Sequence, residues 1–127
     1  MAIRTELSLR VPNNPGALAR LCDVLTDARV NILALDLAIP GMVRLLVDNH
    51  VHAGALLREQ HYQVDERDVI YTVTSNAPGA LARIAHLLAE GGVNVEYLYV
   101  TVIEGSPMAA VVVGVPDAER AAAAAGL

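Results

Sequence analysis

Asn13-Asn14-Pro15-Gly16-Ala17-Leu18-Ala19-Arg20-Leu21 returns 63 residues later as Asn76-Ala77-Pro78-Gly79-Ala80-Leu81-Ala82-Arg83-Ile84. The match continues without a gap through Val30-Asn31-Ile32 and Val93-Asn94-Val95 to Leu35 and Leu98, and 11 of the 23 positions from 13 to 35 are identical. Two copies are too few for a solenoid, which needs about three or more. The pattern therefore reads as duplication of one small module, with a first module at 1–67 and a second at 68–127.

Each copy carries the same punctuation. Leu7-Ser8-Leu9-Arg10-Val11 alternates apolar and polar residues, which predicts a half-buried strand, and Val69-Ile70-Tyr71-Thr72-Val73 is its counterpart. Asn-x-Pro-Gly stops the strand. Pro15 and Pro78 fit the first helical position, where a missing N–H costs nothing. Asn14 is the expected N-cap, and Ala77 is a weak one. The helix that follows carries an apolar stripe, Leu18, Leu21, Cys22 and Leu25 in one copy and Leu81, Ile84, Ala85 and Leu88 in the other. Gly91-Gly92 suits a left-handed helix end. A β-rich run comes next, 30–39 and 93–103, then a turn at Pro40-Gly41 or Gly105-Ser106-Pro107. Strands at 42–47 and 109–113 follow, then helices at roughly 51–61 and 117–125, and a closing strand near 63–65.

The order β-α-β-β-α-β predicts an α+β fold: two ferredoxin-like modules in tandem, with antiparallel sheets and helices on one face. Shifting the closing strand by 63 places it at the end of the chain, so the second module is expected to lack its last strand. No turn signal separates Gln63 from Thr74, so the closing strand of copy one is expected to run almost directly into the first strand of copy two. Either this run is shared between modules, or a partner chain covers the open edge, since sheet edges are normally covered.

Composition narrows the function. Of 127 residues, 54% are hydrophobic, which supplies a core without a single Phe or Trp. Four tyrosines (Tyr62, Tyr71, Tyr97, Tyr99) are a poor platform for base stacking. All nine basic residues are Arg and the net charge is −5 without like-charge blocks, which argues against nucleic acid or an anionic membrane as partner. Cys22 is alone, so no intrachain disulfide forms. The first residues do not read as a signal peptide, and no apolar run approaches the ~18 residues of a membrane span, so a cytoplasmic location is expected.

The repeated strand, Asn-x-Pro-Gly-Ala-Leu turn, amphipathic helix and Val-Asn-Ile or Val-Asn-Val segment resemble the ACT domain, over nearly the whole chain. The chain looks like a tandem ACT-domain protein. The resemblance implies small regulatory modules that commonly bind amino acids, often with the ligand between two modules. In serine-binding ACT domains the Asn two before the proline and the Asn of the Val-Asn-Ile segment contact the ligand. Those positions are Asn13 and Asn31, and Asn76 and Asn94. Such sites also use a His two residues before the first Asn. Here Val11 and Thr74 stand in that place, which argues either against serine itself or for a different pose.

Elementary chemistry points the same way. A helix N-terminus offers free N–H groups to a carboxylate, Gly16 and Gly79 permit close approach to the backbone, and an Asn amide both donates and accepts. The candidate ligand-binding set is Asn13, Pro15, Gly16, Ala17, Leu18, Asn31 and Ile32 in copy one. In copy two it is Asn76, Pro78, Gly79, Ala80, Leu81, Asn94 and Val95. The same residues also make a sound strand-to-helix turn and loop without any ligand.

Other features carry less. His50, His52 and His61 form no metal-ligand pattern with Cys or carboxylates, so no metal or other cofactor is expected. Cys22 lies on the apolar stripe and reads as core. Glu96, Tyr97 and Tyr99 are candidates for an inter-module surface, with Asp36 at the Tyr99 position in copy one. Arg20 and Arg83 read as solvent-facing, and Ala121 to Ala125 as a strong helix former. No phosphate loop, nucleophile elbow or other catalytic constellation occurs. The expected function is a non-enzymatic regulatory or sensor protein that binds an amino acid or similar small effector. The expected partners are a second copy of the chain and a metabolic enzyme. The alternative is a ligand-free interaction module or regulatory subunit docking on that enzyme.

Overall fold

The computed structural model describes residues 2–127. The chain runs β1 (Ala2–Arg10), α1 (Ala17–Asp27), β2 (Ile32–Asp36), β3 (Met42–Val47), α2 (His50–Glu59), β4 (Val64–Ser75), α3 (Ala80–Glu90), β5 (Tyr97–Val102), β6 (Met108–Gly114) and α4 (Ala118–Ala125). Two compact units result: Thr5–Arg67, and Asp68–Leu127 together with the start of the chain through Arg4. β4 is one strand of 12 residues, so the closing strand of copy one does run into the first strand of copy two.

In the first unit the strand order is β2-β3-β1, with the start of β4 beyond β1. β1 and β3 pair antiparallel, Leu7 opposite Leu45 and Leu9 opposite Val43. These four residues face inward and pack with Leu21 and Leu25 of α1 and Ala53 and Leu57 of α2. The period of two along the strands and of roughly four along the helices thus builds one core. The expected stripe on α1 is only half realised: Leu21 and Leu25 are fully buried, whereas Leu18 is 37% exposed and Cys22 is half-buried rather than core. Glu6, on the opposite face of β1 from Leu7, is as deeply buried as the leucines, which simple alternation did not announce.

In the second unit the order is β5-β6-β4, with the start of β1 beside β4. Ile70 stands opposite Val113, and Val100 opposite Val111. Ile70, Val111 and Val113 pack with Ile84 and Leu88 of α3 and with Ala118, Ala121, Ala122 and Ala125 of α4. The alanine run is therefore core as well as helix former. It lets α4 lie close to the end of α3, where a Cβ on Gly91 would stand 3.0 Å from the Ala124 backbone. The place of the expected missing strand is taken by the chain's own beginning. Ile3 packs against this core, and the Arg4 guanidinium lies 4.8 Å from the centre of the Tyr71 ring.

Several local expectations are corrected. Pro15 and Pro78 are not the first helical residues, and Asn14 is not the N-cap. Both helices begin one residue after a glycine in the left-handed region, Gly16 at φ 90° and Gly79 at φ 87°, which makes no side-chain cap. β5 starts at Tyr97 rather than Val93, because the Val93 N–H donates to Leu88 O at 2.9 Å and closes the end of α3 instead. Val30 does the same to Leu25 O at 2.9 Å before β2. α2 starts at His50, capped by Asn49, whose side chain accepts from the His52 N–H at 3.1 Å.

Candidate functional site

The turn between β1 and α1 of the first unit separates two concavities. On one side Asn13, Asn14, Ala17 and Leu18 meet Leu37, Pro40 and Gly41 around a cavity of about 270 Å³. On the other side Asn14, Pro15, Gly16 and Ala17 border an open cleft of about 700 Å³ that extends to the end of α2 and the start of β4. The backbone produces this division. Val11 N–H donates to Gly41 O at 2.8 Å, which fixes the end of β1 against the β2–β3 turn. Gly41 must be glycine: its φ is +77°, and a Cβ there would stand 2.8 Å from Val11 O. Gly16 and Gly79 are glycine for φ alone, since a Cβ on either would meet nothing within 4 Å.

Asn13 is exposed at the smaller cavity, and its amide makes no hydrogen bond among the described residues. Its counterpart is spent on structure. Asn76 Nδ2 donates to Ser106 O at 2.9 Å and to Ile103 O at 3.5 Å, and the Asn76 N–H donates to Pro107 O at 2.9 Å. Together these bonds hold the β5–β6 turn. The same Asn-x-Pro-Gly motif is thus open in one unit and tied down in the other.

The remaining candidates divide likewise. Asn31 lies in neither cavity. Its N–H donates to Asp48 Oδ1 at 3.1 Å and its carbonyl accepts the Asp48 N–H at 3.1 Å, which locks the loop entering β2. Ile32 packs against the first core. Asn94 is exposed, as are Pro78, Gly79, Leu81 and Val95, while Ala80 is half-buried at the start of α3. Tyr97 and Tyr99 stack at 6.5 Å and 11° on the sheet face of their unit away from its helices. Asp36 forms an ion pair with Arg44 at 3.2 Å.

Sequence reasoning missed the larger cleft, whose walls include Arg10, Gln60, His61, Gln63 and Asp65 beside the motif. Nothing local connects Arg10 to residues fifty positions on, and only the β-α-β-β-α-β topology places the end of α2 near the end of β1. The one sequence signal was that these positions differ between the copies. Among the described residues no group of three or more His, Cys, Asp or Glu stands together to hold a metal ion, and no helix is long and apolar enough to cross a membrane.

Residues 70–125 match the family model of the AHAS small subunit-like ACT domain, so the chain carries an ACT-like domain there. No curated protein matches the chain. Among solved structures, protein BT0572 from Bacteroides thetaiotaomicron is similar at 28% identity and a TM-score of 0.88, over 96% of this chain and 85% of that one. The regulatory subunit of aspartate kinase from Thermus thermophilus shares the fold at 18% identity and a TM-score of 0.68, over 98% of this chain and 92% of that one. The corresponding subunit from Thermus flavus does so at 17% identity and a TM-score of 0.64, over 98% and 94%. The α+β fold of six strands and four helices is therefore one of ferredoxin-like repeats, and it is shared with these regulatory subunits.

Proposed function

We propose that this protein is a non-catalytic regulator that binds a free amino acid, and that its first unit carries the working site. The observation that carries this reading is the contrast between Asn13, whose amide is open at a cavity, and Asn76, whose amide holds a turn. Asn13 offers one donor pair and one acceptor, enough to address both the carboxylate and the ammonium of a zwitterion. Leu18 and Leu37, each 37% exposed, supply the apolar wall for its side chain. A cavity of about 270 Å³ suits a molecule of amino-acid size. The open side is covered by a second copy of the chain, whose ACT-like modules supply the rest of the contact. The match to an ACT family model supports the regulatory role.

A thermal-shift screen of the twenty amino acids on ligand-free protein tests this. A ligand at ~100 times its dissociation constant adds about 2.7 kcal/mol. We expect one amino acid to raise the melting temperature, and Asn13→Ala to abolish that shift. No response to any amino acid would overturn the reading. It would favour docking without a ligand, for which Ile39 of the β2–β3 turn, 57% exposed, or Val102 of β5, 52% exposed, would supply a contact.

A further inference from the structure

The larger cleft of the first unit has no role in the reading above. Its polar walls include Ser8, Arg10, Arg20, Gln60, His61 and Asp65. Duplication supplies an internal control for what the fold requires. At the matching positions of copy two, Ser8 becomes Tyr71, Arg10 becomes Val73, Gln60 becomes Ala123 and His61 becomes Ala124, and Asn14 at the cleft mouth becomes Ala77. That unit builds the same element order without these five polar groups, while it keeps an arginine, Arg83, at the position of Arg20. The module therefore folds without them, and their presence around one concavity of copy one needs another explanation.

Two details sharpen it. Arg10 and Arg20 enter no ion pair among the described residues, whereas Arg44 and Arg58 are matched with Asp36 and Glu66. His61 takes φ +70° as the left-handed residue that ends α2, where the Tyr62 N–H donates to Leu57 O at 3.0 Å, the same helix end that Arg29 makes after α1. Here it sets an imidazole at the cleft, directly after the α2 C-terminus.

We propose that this cleft binds a small dicarboxylate, with the Arg10 and Arg20 guanidiniums each taking one carboxylate. A guanidinium presents paired N–H donors matched to the two oxygens of a carboxylate. The two arginines, both exposed on one cavity of about 700 Å³ and without an ion pair among the described residues, can address two such groups on one molecule. Gln60, Asn14, Ser8 and His61 add further donors. Asp65 is the one acid among the cleft's charged groups, and it faces any cationic substituent the ligand carries. The chemistry is shared by a plain dicarboxylate and an acidic amino acid, and Asp65 is where the two differ. The site is separate from the cavity that Asn13 lines.

Calorimetric titration of the full chain with succinate, L-glutamate, propionate and inorganic phosphate tests the proposal. Succinate or L-glutamate should bind with one site per chain, and propionate roughly tenfold more weakly or not at all. Arg10→Val, which installs the residue that copy two carries, and Arg20→Ala should each weaken binding roughly tenfold, the effect of removing one charge-assisted pair. A Tm of Arg10→Val equal to that of the parent shows that the loss is not unfolding. Asp65→Asn that weakens L-glutamate while strengthening succinate marks an acidic amino acid as the ligand. Strengthening of both marks a plain dicarboxylate. The proposal is overturned if neither dicarboxylate binds, if phosphate binds more tightly than both, or if Arg10→Val binds like the parent. A response lost in Asn13→Ala and kept in Arg10→Val would assign it to the smaller cavity and overturn the proposal equally.

Discussion

Arg29 and Gly92 occupy the same place in the two copies, one residue past the last turn of α1 and α3, and both take positive φ, 58° and 71°. A left-handed conformation costs an ordinary residue ~1–2 kcal/mol, part of which glycine gives back as chain entropy. Arg29→Gly should therefore stabilise the protein by about 0.5–1 kcal/mol, read from the midpoint of urea unfolding. The paired asparagines predict a sharper contrast. Asn76→Ala removes the bonds to Ser106 and Ile103 carbonyls and should cost about 1 kcal/mol without changing the amino-acid response. Asn13→Ala should stay within about 0.5 kcal/mol in stability, because its amide bonds nothing in the described chain, and should abolish that response. The reverse assignment of the two variants would refute the idea that only the first copy is open.

Helix α1 separates folding from recognition along its own length. Leu21 is fully buried among Leu7, Leu9 and Leu45, and Leu21→Ala should cost about 2–5 kcal/mol as a cavity opens. Leu18 lies one turn earlier and is 37% exposed, so Leu18→Ala should cost under about 1 kcal/mol while weakening the ligand at the smaller cavity. Denaturant melts of the two variants beside a ligand titration check both outcomes. On β6, Gly114 leaves the space that the Tyr97 ring fills, and any Cβ there would collide with that ring. Gly114→Val should displace Tyr97, cost about 1–3 kcal/mol and alter the near-ultraviolet dichroism of the Tyr97–Tyr99 stack.

At the scale of the whole chain, the beginning of β1 completes the unit built from the second copy. Ile3 joins its core, and Arg4 lies over Tyr71. Removing residues 1–4 should therefore loosen Asp68–Leu127 before it loosens Thr5–Arg67. Hydrogen exchange gives the direct measurement. Protection should fall in the second part of β4, in β6 and in α4, and hold in α1 and β3. Equal protection throughout, before and after the truncation, would show that the chain's beginning contributes nothing to that unit.

The repeat, the element order and the inward faces of strands and helices were legible in the amino-acid string. Each rests on a local rule: period two in Leu7 and Leu9, helical spacing in Leu21 and Leu25, and a left-handed helix end at Gly92. Motif spacing also drew attention to Asn13 and Asn76 as a pair. What it did not tell was that one amide is open and the other engaged, because the partner of Asn76 stands 30 residues away in the β5–β6 turn. The same holds for Ala121, Ala122 and Ala125 of α4, which are core because they pack with Ile84 and Leu88 of α3, and for Arg10 and His61, which share a cleft only after α2 folds back. The sequence by itself determined two copies of a βαββα unit and where each turns. Tertiary structure alone decided that the chain's first residues complete the second copy and that the two copies' motifs do different work, since both depend on contacts between residues far apart along the chain.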